Sequence, residues 1–534
     1  MTYAILWISH VGFGLLLVAA VTAVASRCKR VQYRRFWPIV VAVLVFIPIL
    51  VGWLSGFLIG TAVIPQKWLL WYCLSETIIS VTGVIIILIR GLKGSISENQ
   101  VARLWPRAWL AALTGMVFFV FTTTLNIADM RVMDHLADIK TSATSNIQDM
   151  LPAKLPKPLN AHFVYEEARQ AFPQQKKGLP KWFRESMDPG FDVNSTEVQE
   201  FLSAHHDVLE IMRKAKNIPG YSINVVTSFF VASPIPRYFD YYKIARFIDL
   251  YARSIAKEGD ILGGLNELAI LERMADHLRS FPEMLSFLGA SRLENIRYRA
   301  LEYILAQKPY PTGDLINLSV DARPSVRKDF LSCLRMEAQS SMQSMTVNLL
   351  LSDYSDMFDM RPRKHTFISP TFKAKLYRVF CAPSEIKVLR DIVGYWMDKE
   401  ANSYENLKAS MNAISDAEKS AMGLWASVHV PNYSYYNPRA MKYDVHRGLC
   451  DLALAVTAYR AASKTYPAKL QELIPKYIDR IPTDPFDEKP LKMEPVEGGL
   501  DLYSIGPGGK DGTIHFYLGR EAYERYWVEP EKIK

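Results

Sequence analysis

The sequence predicts a membrane protein in three parts. These are an all-α, four-helix transmembrane bundle over 1–128, a mostly α-helical extracytoplasmic domain over 161–440, reached through a stalk over 129–160, and a small C-terminal α+β module, a helix on an antiparallel sheet, over 441–534. Three observations predict it. Apolar residues crowd into four windows before Asp129, the segments that follow repeat apolar side chains at helical spacing, and the last stretch alternates like strands around glycine turns.

The windows are Tyr3 to Ser26, Phe36 to Ile59, Trp68 to Ile89 and Trp109 to Ala128. Each has the length of about twenty residues that crosses the hydrocarbon of a bilayer. Lys and Arg in short loops mark the cytoplasmic side. The first loop holds Arg27, Lys29, Arg30, Arg34 and Arg35, and the third holds Arg90, Lys93, Arg103 and Arg107, whereas the second has Lys67 alone. That asymmetry puts the N-terminus and everything after Ala128 outside, so the expected location is a bacterial inner (cytoplasmic) membrane, crossed several times, with a large periplasmic C-terminal region. Positive charge follows the first apolar window instead of preceding it, which reads as a permanent span and not a cleaved signal.

The net charge is +9, but the ten Lys or Arg and two acids before Asp129 account for +8 of it. The outer region is close to neutral, which excludes an electrostatic case for nucleic acid. Within the windows stand two ionisable residues, His10 and Glu76, at similar expected depth. They form a candidate intramembrane polar pair, because such groups are costly in hydrocarbon and mark function or mutual satisfaction.

From Met130 to Pro158 the chain is polar and then proline-punctuated, as a stalk is. Helical patterns follow in VQEFLSAHHDVLEIMRKA, YKIARFIDLYARSIAKEG and LENIRYRALEYILAQ. In GLNELAILERMADHLRSF, Leu265, Leu268, Leu271, Ala275 and Leu278 share one face. No fixed-period repeat emerges, so an irregular bundle of helix pairs is expected. His205 and His206, beside Asp207 and Glu210, are the most metal-like group, but neighbours on a helix diverge by about 100° and cannot share a metal unaided. No HEXXH, GxSxG or EF-hand pattern is present, and no catalytic residue is assigned. Trp425, Tyr433, Tyr435 and Tyr436 suit a contact surface or a packed connector. Cys333, Cys381 and Cys450 show no zinc spacing and leave one disulfide open among them.

In the C-terminal part, YDVHRGLCDLALAVTAYRAASKT places Leu449, Leu452, Ala453, Val456 and Tyr459 on one helix face. A short helix ending at Pro475, the segment IPTDPF, a strand, a turn at Gly498-Gly499, the strand DLYSIG, a glycine loop and the strand TIHFYLG follow. The run from Tyr466 to Phe486 and the run YSIGPGGKDG from Tyr503 to Gly512 resemble the globular domain of the major pseudopilin of type II secretion systems. The outer region also looks like a group of multi-domain bacterial envelope proteins ending in the same pattern. The resemblance implies a helix on a small antiparallel sheet and a loop that in many members binds calcium. Asp511 is the one acid between Ser504 and Arg520, and with Asp501 it makes the candidate calcium site, far short of the six to eight oxygens calcium takes. No other cofactor is implied. The pilin processing pattern is absent, since Gly12-Phe13 is followed by Leu17 where a Glu would stand. Lys510 precedes Asp511 instead of Ser or Thr, which excludes a Walker phosphate loop and leaves Gly506, Gly508, Gly509 and Gly512 as turn positions.

The expected function is that of a non-catalytic, membrane-anchored envelope protein. Its partners would be the bilayer and an envelope protein, linked to type II secretion or pilus-like machinery. The alternatives are a membrane-anchored hydrolase with a site assembled from separate helices, and a four-span sensor or transporter built on His10 and Glu76.

Overall fold

The computed structural model describes residues 125, 128–173, 179–224, 238–307, 315, 320–350, 370–397, 436–507 and 512–528. After a helix over 128–150 come α1 (Ala161–Ala171), α2 (Thr196–Ala204), α3 (His206–Ala215), α4 (Tyr238–Lys257), α5 (Ile261–Arg279), α6 (Met284–Leu305), α7 (Arg327–Leu350), α8 (Pro370–Phe380), α9 (Ala382–Met397) and α10 (Asn437–Ser463). Strands β1 (Lys492–Val496), β2 (Gly499–Ser504) and β3 (Ile514–Leu518) and the short α11 (Arg520–Tyr523) complete it. The chain divides into two compact units, Met1–Asp138 with Thr346–Ser384, and Ile139–Met345 with Glu385–Lys534.

No helix among the described residues is long and apolar enough to cross a membrane. Length is not what fails. At 27 residues α10 would span a bilayer, but it carries Arg439, Lys442, Asp444, Arg447, Asp451 and Arg460. The expected fold class is corrected accordingly, from a transmembrane bundle with an outer domain to a mostly helical fold with a small three-stranded antiparallel sheet near its C-terminus. The multi-pass inner-membrane location rested on that bundle and is corrected with it. His10, Glu76 and nearly all of the four apolar windows lie outside the described residues.

In the second unit α4, α5 and α6 pack on one another, and α6 also meets α10 and β3. Fifteen of the 22 residues of α6 are buried, leaving a narrow exposed stripe at Leu285, Arg292 and Arg299, so it forms the axis of the core. Local chemistry fixes the helix starts. The Asn160 side chain caps α1, accepting from His162 N at 3.1 Å and from Ser222 N at 3.0 Å while donating to Ser222 O at 2.8 Å. Asp260 caps α5 by accepting from Gly263 N at 2.7 Å, just after Gly259 turns the chain at φ +109.

Charge inside this core is paired. Arg323 reaches Asp451 on α10 at 2.9 Å and Glu294 on α6 at 3.2 Å, and Arg297 holds Glu294 at 2.9 Å and Glu272 on α5 at 2.7 Å. Burial alone would raise the Glu294 carboxyl, but the Arg323 and Arg297 guanidinium groups override it and hold it at about 2. In the first unit one buried pair stands out. Arg378 grips Asp129 through Nε to Oδ1 at 2.6 Å and Nη2 to Oδ2 at 3.0 Å.

The sheet runs β1-β2-β3, all antiparallel, with Leu502 opposite Phe516 and Leu500 opposite Leu518. These four side chains are buried, and the Phe516 ring meets Tyr298 of α6 edge-on, centroids 5.2 Å apart. Gly498 makes the hairpin turn at φ +78, and Gly506 opens the glycine loop at φ +63, where an added Cβ would lie 1.7 Å from Gly512 O. Gly512 itself does not take a positive φ, and 508–511 lie outside the described residues. The fully buried Asp484 ties the two motifs together. It accepts from Ser504 Oγ at 3.0 Å, Ile505 N at 2.9 Å and Phe486 N at 3.0 Å, so the DPF turn staples the entry to the glycine loop.

Replacing Asp484 by Ala strands one buried and two part-buried donors. We expect it to lower stability by about 3 kcal/mol, and Asp484→Asn, which keeps an acceptor oxygen, to cost less. Urea unfolding of the full chain checks the order.

Candidate functional site

Among the described residues, polar and ionisable side chains from distant parts of the chain converge on one cavity of the second unit. Its volume is about 30 Å³, room for a water or two or for the tip of a ligand. Helix α4 supplies Asp249 and Arg253, α6 supplies Arg299, Ala300, Glu302 and Tyr303, and the C-terminal segment supplies Tyr523 and Trp527, with Met187 and Pro189 closing one side.

The α4 pair is closed on itself. One turn apart on the helix, Arg253 Nε and Nη2 donate to Asp249 Oδ1 and Oδ2, both at 2.8 Å, and Nη2 also donates to the Ser186 carbonyl. Both residues are buried, and the Arg253 guanidinium lies 5.4 Å from the centre of the Tyr303 ring. Burial pushes the Asp249 carboxyl up and Arg253 pulls it back. Both oxygens of Asp249 are thus engaged by one guanidinium.

Glu302 is different. It is 1% exposed, and its Oε1 accepts from the Tyr517 backbone N–H on β3 and from the Trp527 indole N–H, both at 2.6 Å. No guanidinium or ammonium pairs with it among the described residues. Burial therefore raises its carboxyl to about 8, against the two N–H bonds that favour the charged form. At neutral pH it is a neutral acid whose proton sits on Oε2. Its neighbour Tyr298 donates to the His515 carbonyl, so two successive inward residues of α6 hold the same strand. Arg299, between them in sequence, points to the exposed side and forms no salt bridge among the described residues.

The sequence-derived candidates lie elsewhere. Asp501 is buried on β2, with Oδ2 2.7 Å from His515 Nδ1 on the neighbouring strand and Oδ1 left without a partner. Burial raises its carboxyl, opposed by His515. Asp511, like His10 and Glu76, lies outside the described residues. No group of three or more His, Cys, Asp or Glu among the described residues is placed to hold a metal. His205 stands at the break between α2 and α3 and turns in against Phe201, its Nδ1 2.9 Å from that carbonyl, while the exposed His206 faces Glu210 at 3.5 Å, so the two point apart. His277 and Tyr165 share a buried bond of 2.6 Å, and burial lowers the imidazole to about 4. Its Nε2 faces the Ile218 carbonyl at 3.0 Å, which makes Nδ1 the acceptor and Tyr165 the donor. Cys333, Cys381 and Cys450 are not joined by a disulfide.

Sequence reasoning missed Glu302, Asp249 and Arg253. A signal was present. Glu302 interrupts the apolar face of ALEYIL, and Asp249 and Arg253 stand four apart inside FIDLYARSIA, Asp249 between Ile248 and Leu250, a spacing that lets the two pair on one helix face. Compared with models of protein families, with curated proteins and with solved structures, the chain has no match in any of the three.

Glu302→Gln keeps an oxygen to accept both N–H bonds and removes the titration. A raised carboxyl stabilises fully below its ordinary value of 4.5 and loses that contribution as pH rises through about 8. We expect wild type to lose stability relative to Glu302→Gln across that window and the difference to level off above it, read by urea unfolding at a series of pH values.

Proposed function

We propose that this chain is a non-catalytic binding protein, and that the cavity between α4, α6 and the C-terminal segment receives a small polar ligand or the polar end of a larger one. The observation that carries the reading is convergence. Ionisable side chains from α4 and α6 meet beneath Tyr523 and Trp527 at a cavity of about 30 Å³, the arrangement expected of a ligand site. A ligand seated there touches the helical core and the C-terminal segment at once, so binding would strengthen the docking of one on the other.

Hydrolysis is the weaker reading. It needs an acid together with a base or a nucleophile within hydrogen-bond reach. The described lining supplies the acid, Glu302, but Asp249 is committed to Arg253, and no His, Cys or Ser lines the cavity. The C-terminal module belongs to the same proposal. Its likeness to a pseudopilin globular domain is supported by the helix α10 against three antiparallel strands and by Asp484 joining the two motifs.

The test is thermal unfolding of the full chain with acetate, inorganic phosphate, methylammonium or glycerol, compared with Ala300→Leu. Ala300 is fully buried in the lining, and a leucine there fills the space. At a hundredfold excess over Kd a one-site ligand adds about 2.7 kcal/mol. At least one compound is expected to stabilise wild type and not the variant. Equal responses in both proteins for all four compounds would remove the cavity as a binding site.

A further inference from the structure

Resting on that reading, we infer that the ligand's inserted end is an oxyanion, a carboxylate or a phosphoryl group, held between the Arg299 guanidinium at the rim and the Glu302 carboxyl group inside. Three features of the geometry point to it.

First, the positive charge around the cavity exceeds what the carboxylates there take up. Arg253 is matched by Asp249. Arg299 is exposed and forms no salt bridge among the described residues. A guanidinium fork left open beside a small cavity matches the two oxygens of a carboxylate or phosphoryl group.

Second, the bonds already made at Glu302 dictate what it can offer. Oε1 is filled by Tyr517 N and Trp527 Nε1. The remaining oxygen, Oε2, carries the proton when the group is neutral and then acts as a donor, which suits an oxyanion and repels an ammonium.

Third, the groups facing Glu302 from each packed element keep it neutral. Asp249 and Arg253 on α4 cancel each other, Asp501 on β2 and the hydroxyls of Tyr298, Tyr303, Tyr517 and Tyr523 add no positive charge, and Arg299 is the one cation that opposes its protonation. An anion drawn to Arg299 would therefore meet a donor inside and not a second anion. Above the pH at which Glu302 ionises, the same site would expel it.

Titration calorimetry of the full chain tests this with four probes, acetate, inorganic phosphate, methylammonium and glycerol, on wild type, Ala300→Leu, Arg299→Gln, Arg299→Lys and Glu302→Gln. Acetate or phosphate is expected to bind wild type and not Ala300→Leu. The two arms tell a carboxylate-selective site from a phosphoryl-selective one, and either supports the inference. Arg299→Gln is expected to weaken the anion at least tenfold, and Arg299→Lys to recover part of the loss. Acetate, whose own charge is constant over the range, is expected to bind wild type less tightly at about pH 9 than at about pH 6.5, and Glu302→Gln equally at both. Binding of methylammonium or glycerol alone, blocked by Ala300→Leu, overturns the oxyanion and leaves the cavity reading standing. An anion affinity unchanged in Arg299→Gln overturns the inference, and the absence of any probe sensitive to Ala300→Leu overturns both.

Discussion

A carboxyl group buried without a cation paired to it is expensive unless it stays neutral, and Glu302 is a position where this fold accepts that constraint. The group sits on the most enclosed helix, α6, and its Oε1 is the junction between that helix, the β3 backbone and the Trp527 indole. A leucine at the same place would pack, but it would leave both N–H groups without an acceptor. The acid is thus the piece that lets a sheet edge and an aromatic side chain rest on a helix with their donors satisfied. The same requirement places a proton inside the protein at neutral pH.

The surrounding electrostatics follow two different rules. In the network of Arg323, Arg297, Glu294, Glu272 and Asp451, buried charges are matched one against another, and Glu294 is held ionised at about 2. Such a network orders helices α5, α6 and α10 with the 320–326 segment, and removing one member would leave an unpaired charge in the core. Around the cavity the matching is incomplete. Asp249 and Arg253 close on each other, Glu302 remains neutral at about 8, and Arg299 is left toward solvent. Two carboxyl groups eight residues apart on one helix, Glu294 and Glu302, are driven in opposite directions by whether arginines surround them. That contrast separates the structural cluster from the candidate site.

Periodicity made a good part of the fold legible. Leu268, Leu271, Ala275 and Leu278 are buried along α5 as their 3 and 4 spacing requires, and Leu449, Leu452, Ala453 and Val456 are buried along α10. The order of helix, hairpin and strands near the C-terminus was readable from Gly498 and the alternation in DLYS and IHFYL. Spacing along one helix says nothing about what another helix brings to it. Asp249, Glu302 and Trp527 come together only because α4 and α6 pack side by side and the C-terminal segment folds back over them. Asp501 entered the candidate calcium site only beside Asp511, through the resemblance to a loop that binds calcium. In the structure its partner is a histidine on the next strand, set by cross-strand register, which a linear pattern does not display. The transmembrane expectation came from hydropathy windows that lie almost wholly outside the described residues, and no described helix is long and apolar enough to cross a membrane.

The measurement that bears most directly on this account is infrared difference spectroscopy of the full chain in the carbonyl-stretch region of protonated carboxylic acids, taken across neutral to alkaline pH and compared with Glu302→Gln. A buried neutral Glu302 predicts an acid-band component that disappears around pH 8 and is missing from the variant, which keeps only the component of Glu337, whose carboxyl burial raises to about 7. A wild-type spectrum with no band titrating in that range, or one that the variant reproduces, would contradict the claim that Glu302 holds a proton at the junction of α6, β3 and Trp527.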